Sequence, residues 1–330
     1  MTQKPVALTL GEPAGIGGEI SLKAWKVLRH ELPFFLIADA NYLRSLAAQS
    51  GQPIKVIANP AEATSVMPDA LPVLDHPLPS PVAGGMPNAK NAAEVVAMIK
   101  RAVVLTQSGQ ACALTTNPIH KKALQDGAGF AFPGHTEYLA SLANITRPIM
   151  MLSAPELRVV PVTIHIPISK VPKILDATLL EQTIRVTHKA MIADLGINTP
   201  RIAVAGLNPH AGEEGAMGNE EIDFITPTLE KLRAEGMNLA GPMSADTMFH
   251  ASARSRYDLA ICMYHDQALI PIKTLNFSAG VNTTLGLPFI RTSPDHGTAF
   301  DIVGQNIADP LSLIEALRTA NDMAKHRGTI

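Results

Sequence analysis

Cysteine is almost missing from this sequence: 330 residues contain only Cys112 and Cys262. Both lie inside apolar, strand-like stretches, so they read as buried core thiols, and a disulfide or a thiolate site is disfavoured. An excess of one charge is missing too. Lys and Arg total 27 against 29 Asp and Glu, a formal net charge of −2, which speaks against nucleic acid or an acidic membrane as a partner. No apolar run reaches membrane-spanning length, and the opening MTQKPVALTLGEPAG lacks the apolar core of a signal peptide. Tandem repeats and low-complexity tracts are absent as well. With 46% hydrophobic and 17% charged residues the composition is that of a globular protein, expected in the cytoplasm.

What is present is alternation. Short apolar runs take turns with helical patterns almost throughout, which predicts an α/β protein with a largely parallel sheet. VALTL (6–10) leads through a glycine-rich turn into EISLKAWKVLRH, and FFLIADA (34–40) leads into NYLRSLAAQSG. Residues 59–87 hold seven prolines and little periodicity, and are expected to form a surface excursion with at most an edge strand. NAKNAAEVVAMIKRAVVLTQSG is a helix closed by Gly109, followed by the strand ACALTT (111–116). In the second half LRVVPVTIHI and RIAVAGLNPH are strands, and NEEIDFITPTLEKLRAEG is a helix with Asn219 as its cap. A last helix starts at Pro310 and aligns Leu313, Leu317, Ala320 and Ala324 on one face. The length suits two α/β lobes with a cleft between them: residues 1–130 with 280–330, and residues 131–279.

Three imidazoles share one address. His165 ends RVVPVTIH, His210 ends RIAVAGLNPH and His265 ends DLAICMYH. In a parallel sheet the carboxyl ends of the strands face one edge, where ligand sites form. Three histidines delivered there suit a metal with positions left open for substrate. Any one of them alone would more often be an ordinary half-buried histidine; the shared address is what favours ligation. Asp266 and Asp246 are candidates to orient a ligand imidazole or to act as a base. Asp246 in SADTMF reads equally well as a helix cap.

Anion handles come next. PGHTEYLASL places His135 and Thr136 where a helix begins, a setting that suits a phosphate or carboxylate, or equally a plain Thr136 N-cap. Lys273, Asn282 and Arg291 punctuate ALIPIK, GVNTTLG and LPFIRTS, stretches otherwise poor in charge, where a cation usually has an anionic partner; taken singly, the lysine and the arginine each also read as an exposed charge at a strand end. GEPAGIGGE (11–19) joins a strand to a helix, but its glycines do not follow the dinucleotide spacing. DHGTAFDIVGQNIADP (295–310) is, by composition, a polar loop.

With those residues assembled, the chain resembles the 4-hydroxythreonine-4-phosphate dehydrogenase family, end to end. GEPAGIG, PGHTEY, GLNPHAGEEGAMGNEEID, ADTMF, MYHDQALIPIK and GVNTTLGLPFIRTSPDHGTA carry the resemblance. One departure is Gly18, where many relatives have proline. The resemblance implies a fold like that of isocitrate and isopropylmalate dehydrogenases, a homodimer, and an active site near the subunit boundary. It implies a divalent metal (zinc, magnesium or cobalt) on His165, His210 and His265, shared across the dimer. Substrate contacts are implied at His135, Thr136, Lys273, Asn282 and Arg291. The 295–310 loop looks like an adenosine-binding loop, which makes His296, Gly297, Thr298 and Ala299 the expected contacts for NAD or NADP.

The implied reaction is oxidation of 4-phosphooxy-L-threonine at C3, then decarboxylation to 3-amino-2-oxopropyl phosphate, in pyridoxine 5′-phosphate biosynthesis. A paralogous dehydrogenase of 4-phospho-D-threonate would use the same metal and cofactor. A metal-dependent hydrolase or acyltransferase would use the three histidines without NAD.

Overall fold

A computed structural model describes residues 3–330. It divides into two compact units, one formed by residues up to Pro148 together with Leu287–Ile330, the other by Ile149–Gly286. In chain order the first unit contributes β1 (Val6–Thr9), α1 (Gly17–Leu28), β2 (Phe34–Ala38), α2 (Ala40–Ser50), β3 (Ile54–Ile57), α3 (Ala63–Val66), β4 (Leu71–Asp75), α4 (Ala92–Gln107), β5 (Ala113–Thr116), α5 (Lys121–Ala128) and α6 (His135–Leu142). The second unit follows with β6 (Ile149–Ala154), β7 (Leu157–Pro161), α7 (Val171–Ile174), α8 (Ala177–Ala193), β8 (Arg201–Ala205), α9 (Thr226–Ala234), β9 (Asn238–Met243), α10 (Ala251–Arg254), β10 (Leu259–Cys262), α11 (His265–Leu275) and β11 (Val281–Leu285). The chain then returns to the first unit through β12 (Arg291–Pro294) and α12 (Leu311–Arg327).

The strands of the first unit lie in the order β3-β4-β2-β1-β5-β12, with parallel pairings throughout. β2 is buried at all five positions, as a strand covered on both faces must be. Its neighbour β4 arises from the proline-rich stretch and is an interior strand, while β3 takes the edge. Leu71, Val73 and Leu74 supply the burial that overrides the proline signal, with Pro72 opposite Lys55 on β3. α12 is fastened to β12 through the Thr292 hydroxyl, which donates to the Ala316 carbonyl at 2.9 Å. Leu313, Leu317, Ala320 and Ala324 are fully buried on that helix.

The second unit has the order β11-β6-β7-β10-β8-β9. β11 and β7 both run antiparallel to β6, whereas β7, β10, β8 and β9 are mutually parallel. Its core gathers Leu180, Ile184, Ile202, Leu229, Leu259 and Ile261. The helix expected from Asn219 opens instead with a π turn over Glu221–Ile225. Asn219 takes part through its backbone carbonyl, which accepts the Asp223 N–H at 2.7 Å.

The unit boundaries fall later than the sequence suggested, so α6 belongs with the first unit. Tyr138 on α6 stands 5.2 Å, centroid to centroid, from the rings of both Phe130 and Phe132. Cys112 and Cys262 are buried free thiols; burial pushes the Cys112 thiol up to about 12. Among the described residues no helix is long and apolar enough to cross a membrane.

Candidate active site

β10 lies between β7 and β8, with Ala260 opposite Val159 on one side and Ala203 on the other. Three parallel strands therefore end at one edge of the second unit, and the segments leaving them carry His165, His265 and His210. The sequence reading made His265 the end of a strand. The strand closes at Cys262, and His265 is the first residue of α11, with Tyr264 extended at the N-cap. The apolar run ALIPIK is therefore helical, Pro271 included. Gln267 drives this change: its Oε1 accepts the Met263 N–H at 2.7 Å, satisfying a donor at the strand-to-helix turn.

The His165 and His265 rings stand 5.5 Å apart and line a hollow of about 280 Å³ with Thr163, Tyr264 and Asp266. His265 Nδ1 is 2.7 Å from Asp266 Oδ1, the carboxylate–imidazole arrangement that orients a metal ligand. His210 lies beside Asp246. The Ser244 hydroxyl, 2.5 Å away, is the main cause holding the Asp246 carboxyl below its usual range, and His210 adds to the lowering. Asp246 is no helix cap: it sits within the short turn Ala245–Thr247. His165 and His210 both have left-handed backbones, with φ of 38° and 51°. From His210 the left-handed conformation persists through Glu214. Non-glycine residues held this way cost about 1–3 kcal/mol each and concentrate at functional sites. Among the described residues no three His, Cys, Asp or Glu side chains of this chain are gathered closely enough to hold a metal ion. The donor chemistry nevertheless fits a borderline divalent ion: imidazoles at one strand edge, one already oriented by a carboxylate.

In the first unit His135 is the first residue of α6, and Gly134, not Thr136, occupies the N-cap. Arg291 opens β12 and is only 3% exposed. Its Nη2 donates to the Thr116 hydroxyl at 2.7 Å. Burial lowers the guanidinium to about 10, with Glu137 opposing the shift, so the charge persists at neutral pH. The His135 imidazole is held well below its usual value, first by burial and then by the positive charges of Arg291 and Lys121. It is thus neutral, and its buried Nε2 has no hydrogen-bond partner among the described residues. A neutral imidazole beside a buried guanidinium at a helix start suits the anionic end of a ligand.

In the second unit Asn282 on β11 likewise has a buried, unpartnered Oδ1. Lys273 lies on α11, its ammonium 5.5 Å from the centre of the Phe277 ring.

The segment His296–Ala299 follows β12. His296 Nδ1 contacts the Gly297 carbonyl at 2.9 Å, and its buried Nε2 has no partner among the described residues. Among the described residues nothing lies within 4 Å of the place a side chain at Gly297 would occupy. The Thr298 carbonyl accepts the Ile16 N–H at 3.1 Å, so the GEPAGIGG turn supports this segment. Farther along the same loop, Val303, Gly304 and Asn306 border a groove of about 970 Å³ that Lys23 and Tyr42 also line. An open glycine, an imidazole with a free Nε2 among the described residues, and an adjoining groove fit a nucleotide cofactor.

Sequence reasoning passed over Thr116, the hydroxyl partner of Arg291, and the buried Glu12 with its half-buried neighbour His120. Burial raises the Glu12 carboxyl, and the nearby His120 opposes that rise. Gln267 and Glu221 were also passed over, although both stand inside the motifs quoted above.

Residues 30–320 match the family model of the pyridoxal phosphate biosynthetic protein PdxA. The chain is similar to 4-hydroxythreonine-4-phosphate dehydrogenase of Ruegeria sp. (strain TM1040), with 55% identity over 99% of each chain. Among solved structures it is similar to the 4-hydroxythreonine-4-phosphate dehydrogenase of Klebsiella pneumoniae, at TM-score 0.89 and 38% identity over 98% of each chain. It is also similar to a terephthalate 1,2-cis-dihydrodiol dehydrogenase from Burkholderia xenovorans LB400, at TM-score 0.69 and 30% identity, covering 97% of this chain and 98% of that one.

Proposed function

We infer from the chain's place in the PdxA family of pyridoxal phosphate biosynthetic proteins, to which it belongs, that it is a dehydrogenase acting on 4-phosphooxy-L-threonine. C3 is oxidised to a ketone at the expense of NAD or NADP, and the resulting 3-oxo acid loses carbon dioxide to give 3-amino-2-oxopropyl phosphate. The observation that carries this reading is the full-length identity to relatives of that name, joined to a site whose chemistry suits the substrate.

The substrate offers a phosphate, a carboxylate, an amine and a secondary alcohol. Arg291, kept charged, and His135, kept neutral, grip an anionic end, with Thr136 one residue farther along the first turn of α6. Lys273 and Asn282 supply a second cation and an unpartnered carbonyl for the remaining polar groups. His165, His210 and His265 are the residues to hold a divalent ion, which when bound supplies Lewis acidity toward the C3 oxygen. Asp266 holds the His265 imidazole in one tautomer by accepting from Nδ1, and Asp246 places a negative charge near His210. His296, Gly297, Thr298 and Ala299 bind the nicotinamide cofactor, which when bound supplies the hydride acceptor.

A homodimer completes the site. The three imidazoles are not gathered within one chain, and His165 and His210 are exposed. Large apolar side chains are exposed close to each in sequence: Ile168 at 66%, Met217 at 50% and Ile270 at 63%. A partner copy seated over these histidines would cover them.

The test is NADH or NADPH formation by metal-replete protein with 4-phosphooxy-L-threonine, run beside 4-phospho-D-threonate and repeated after chelation. Chelator-sensitive turnover selective for the amino acid is expected. Selectivity for the phosphorylated sugar acid would move the assignment to a different pathway, and the absence of any reduced cofactor would overturn it.

A further inference from the structure

The stretch GLNPHAGEEGAMGNEEID contains far more than one candidate ligand, and the structure shows what the rest of it does. Glu221 is 3% exposed, a placement that a carboxylate tolerates only when its oxygens are filled. Its Oε1 accepts the backbone N–H groups of Leu207 and Asn208, at 2.7 and 2.8 Å. Its Oε2 accepts from the Asn208 side-chain amide at 2.9 Å. Two glycines make room for this carboxylate: a Cβ on Gly206 would lie 2.9 Å from Oε1, and one on Gly212 would lie 2.7 Å from Oε2. Gly212 also sits at φ +82°, inside the left-handed run that begins at His210.

The same turn is tied to the next strand end. Gln267 Nε2 donates to the Gly206 carbonyl at 2.8 Å while its Oε1 accepts from Met263. The Thr163 hydroxyl donates to the Met263 carbonyl at 2.7 Å. A continuous hydrogen-bonded path therefore runs from the strand end before His165, past that before His265, to the turn before His210, and it ends on Glu221.

We propose that Glu221 is a positioning residue: through Leu207 and Asn208 it holds the strained turn that presents His210 to a divalent cation, without touching the cation itself. This rests on the reading of His210 as a metal ligand. A left-handed run in which four of the five residues are not glycine has no reason to persist alone, and each of those four is disfavoured relative to ordinary helix. The buried carboxylate, with three donors converging on it, supplies the reason.

The experiment is a Co²⁺ titration of full-length, chelator-stripped protein, followed by visible d–d absorption, with circular dichroism spectra and thermal melts as fold controls. In Glu221→Gln one oxygen still serves the two backbone donors, but the new –NH₂ group faces the Asn208 amide, donor against donor. Asn208→Ser removes the side-chain partner, and with it the 2.7 Å bond from the same amide to Glu220 Oε2, while leaving Glu221 itself unaltered, and decides the matter if the first variant does not fold. His210→Ala is the reference for losing a ligand. Expected is an apparent Kd for Co²⁺ raised about tenfold or more in Glu221→Gln and Asn208→Ser, with parental spectra and melts, and no specific binding in His210→Ala. Parental affinity in folded Glu221→Gln and Asn208→Ser, with binding lost in His210→Ala, would overturn the proposal alone. Parental affinity in all three would overturn the metal reading and the proposal with it.

Discussion

Arg291 keeps a charge at a position only 3% exposed, and its surroundings explain how. The Thr116 hydroxyl accepts one N–H, Glu137 contributes negative charge, and His135 stays neutral. A protonated His135 would add a second positive charge beside the guanidinium, so the pair divides the work: one group brings charge, the other a hydrogen bond. Removing the charge should weaken binding of the phosphorylated substrate more than it slows the chemistry. Arg291→Ala is expected to raise KM for 4-phosphooxy-L-threonine by about thirtyfold or more, on the order of 2 kcal/mol, with a smaller change in kcat. Initial-rate kinetics with cofactor saturating decide it, and an unchanged KM would remove Arg291 from the substrate site.

At the scale of elements, α1 carries Gly18, a position where the resemblance leads one to expect proline. Gly18 is the second residue of this helix, and a Cβ there would meet Leu46, Leu10 and Tyr42 at 3.6–3.7 Å, ordinary contact distances. Its backbone is not left-handed, so a side chain costs nothing in the fold and restricts the unfolded chain. Gly18→Ala is expected to stabilise the protein by about 0.4–1 kcal/mol, read as a higher midpoint in reversible denaturation. A lower midpoint would mean that the helix start needs glycine for a reason other than space. The elements that could be read from the sequence are those with one dominant signal. α12 was legible because Leu313, Leu317, Ala320 and Ala324 repeat at helical spacing, and β2 because five apolar residues run together. α11 was not, because it follows a strand almost directly and carries Pro271, and its start depends on the Gln267 side chain satisfying the Met263 N–H. β4 was hidden by prolines, and its interior place depends on strands distant in sequence. In the same way the strand-edge address of His165, His210 and His265 was legible from local pattern. The left-handed turn around His210 was not, since it depends on a carboxylate several residues later that must be buried to act.

At the scale of the molecule, the question is why one chain presents its candidate metal ligands without assembling them. His165 and His265 face each other at 5.5 Å, while His210 lies beside Asp246, and no three-ligand group forms among the described residues. A two-fold dimer resolves this if one copy supplies His265 and its partner supplies His210, because a symmetric interface places each patch against its counterpart twice. The exposed Ile168, Met217 and Ile270 then become the apolar cover of that contact. The arrangement makes a distinctive prediction about mixtures. His210→Ala and His265→Ala are each expected to be inactive alone. Dissociated and reassociated together in equal amounts, half the dimers are mixed, and each mixed dimer holds one site with both histidines intact. About a quarter of parental activity should therefore return. Mixing His210→Ala with itself after the same treatment controls for partial recovery by refolding. If the mixture stays inactive although size-exclusion chromatography shows dimers, the ligands come from a single copy. The chain would then have to close around the ion by bringing His210 to the other two, and chelation should shift its hydrodynamic radius while leaving the dimer whole.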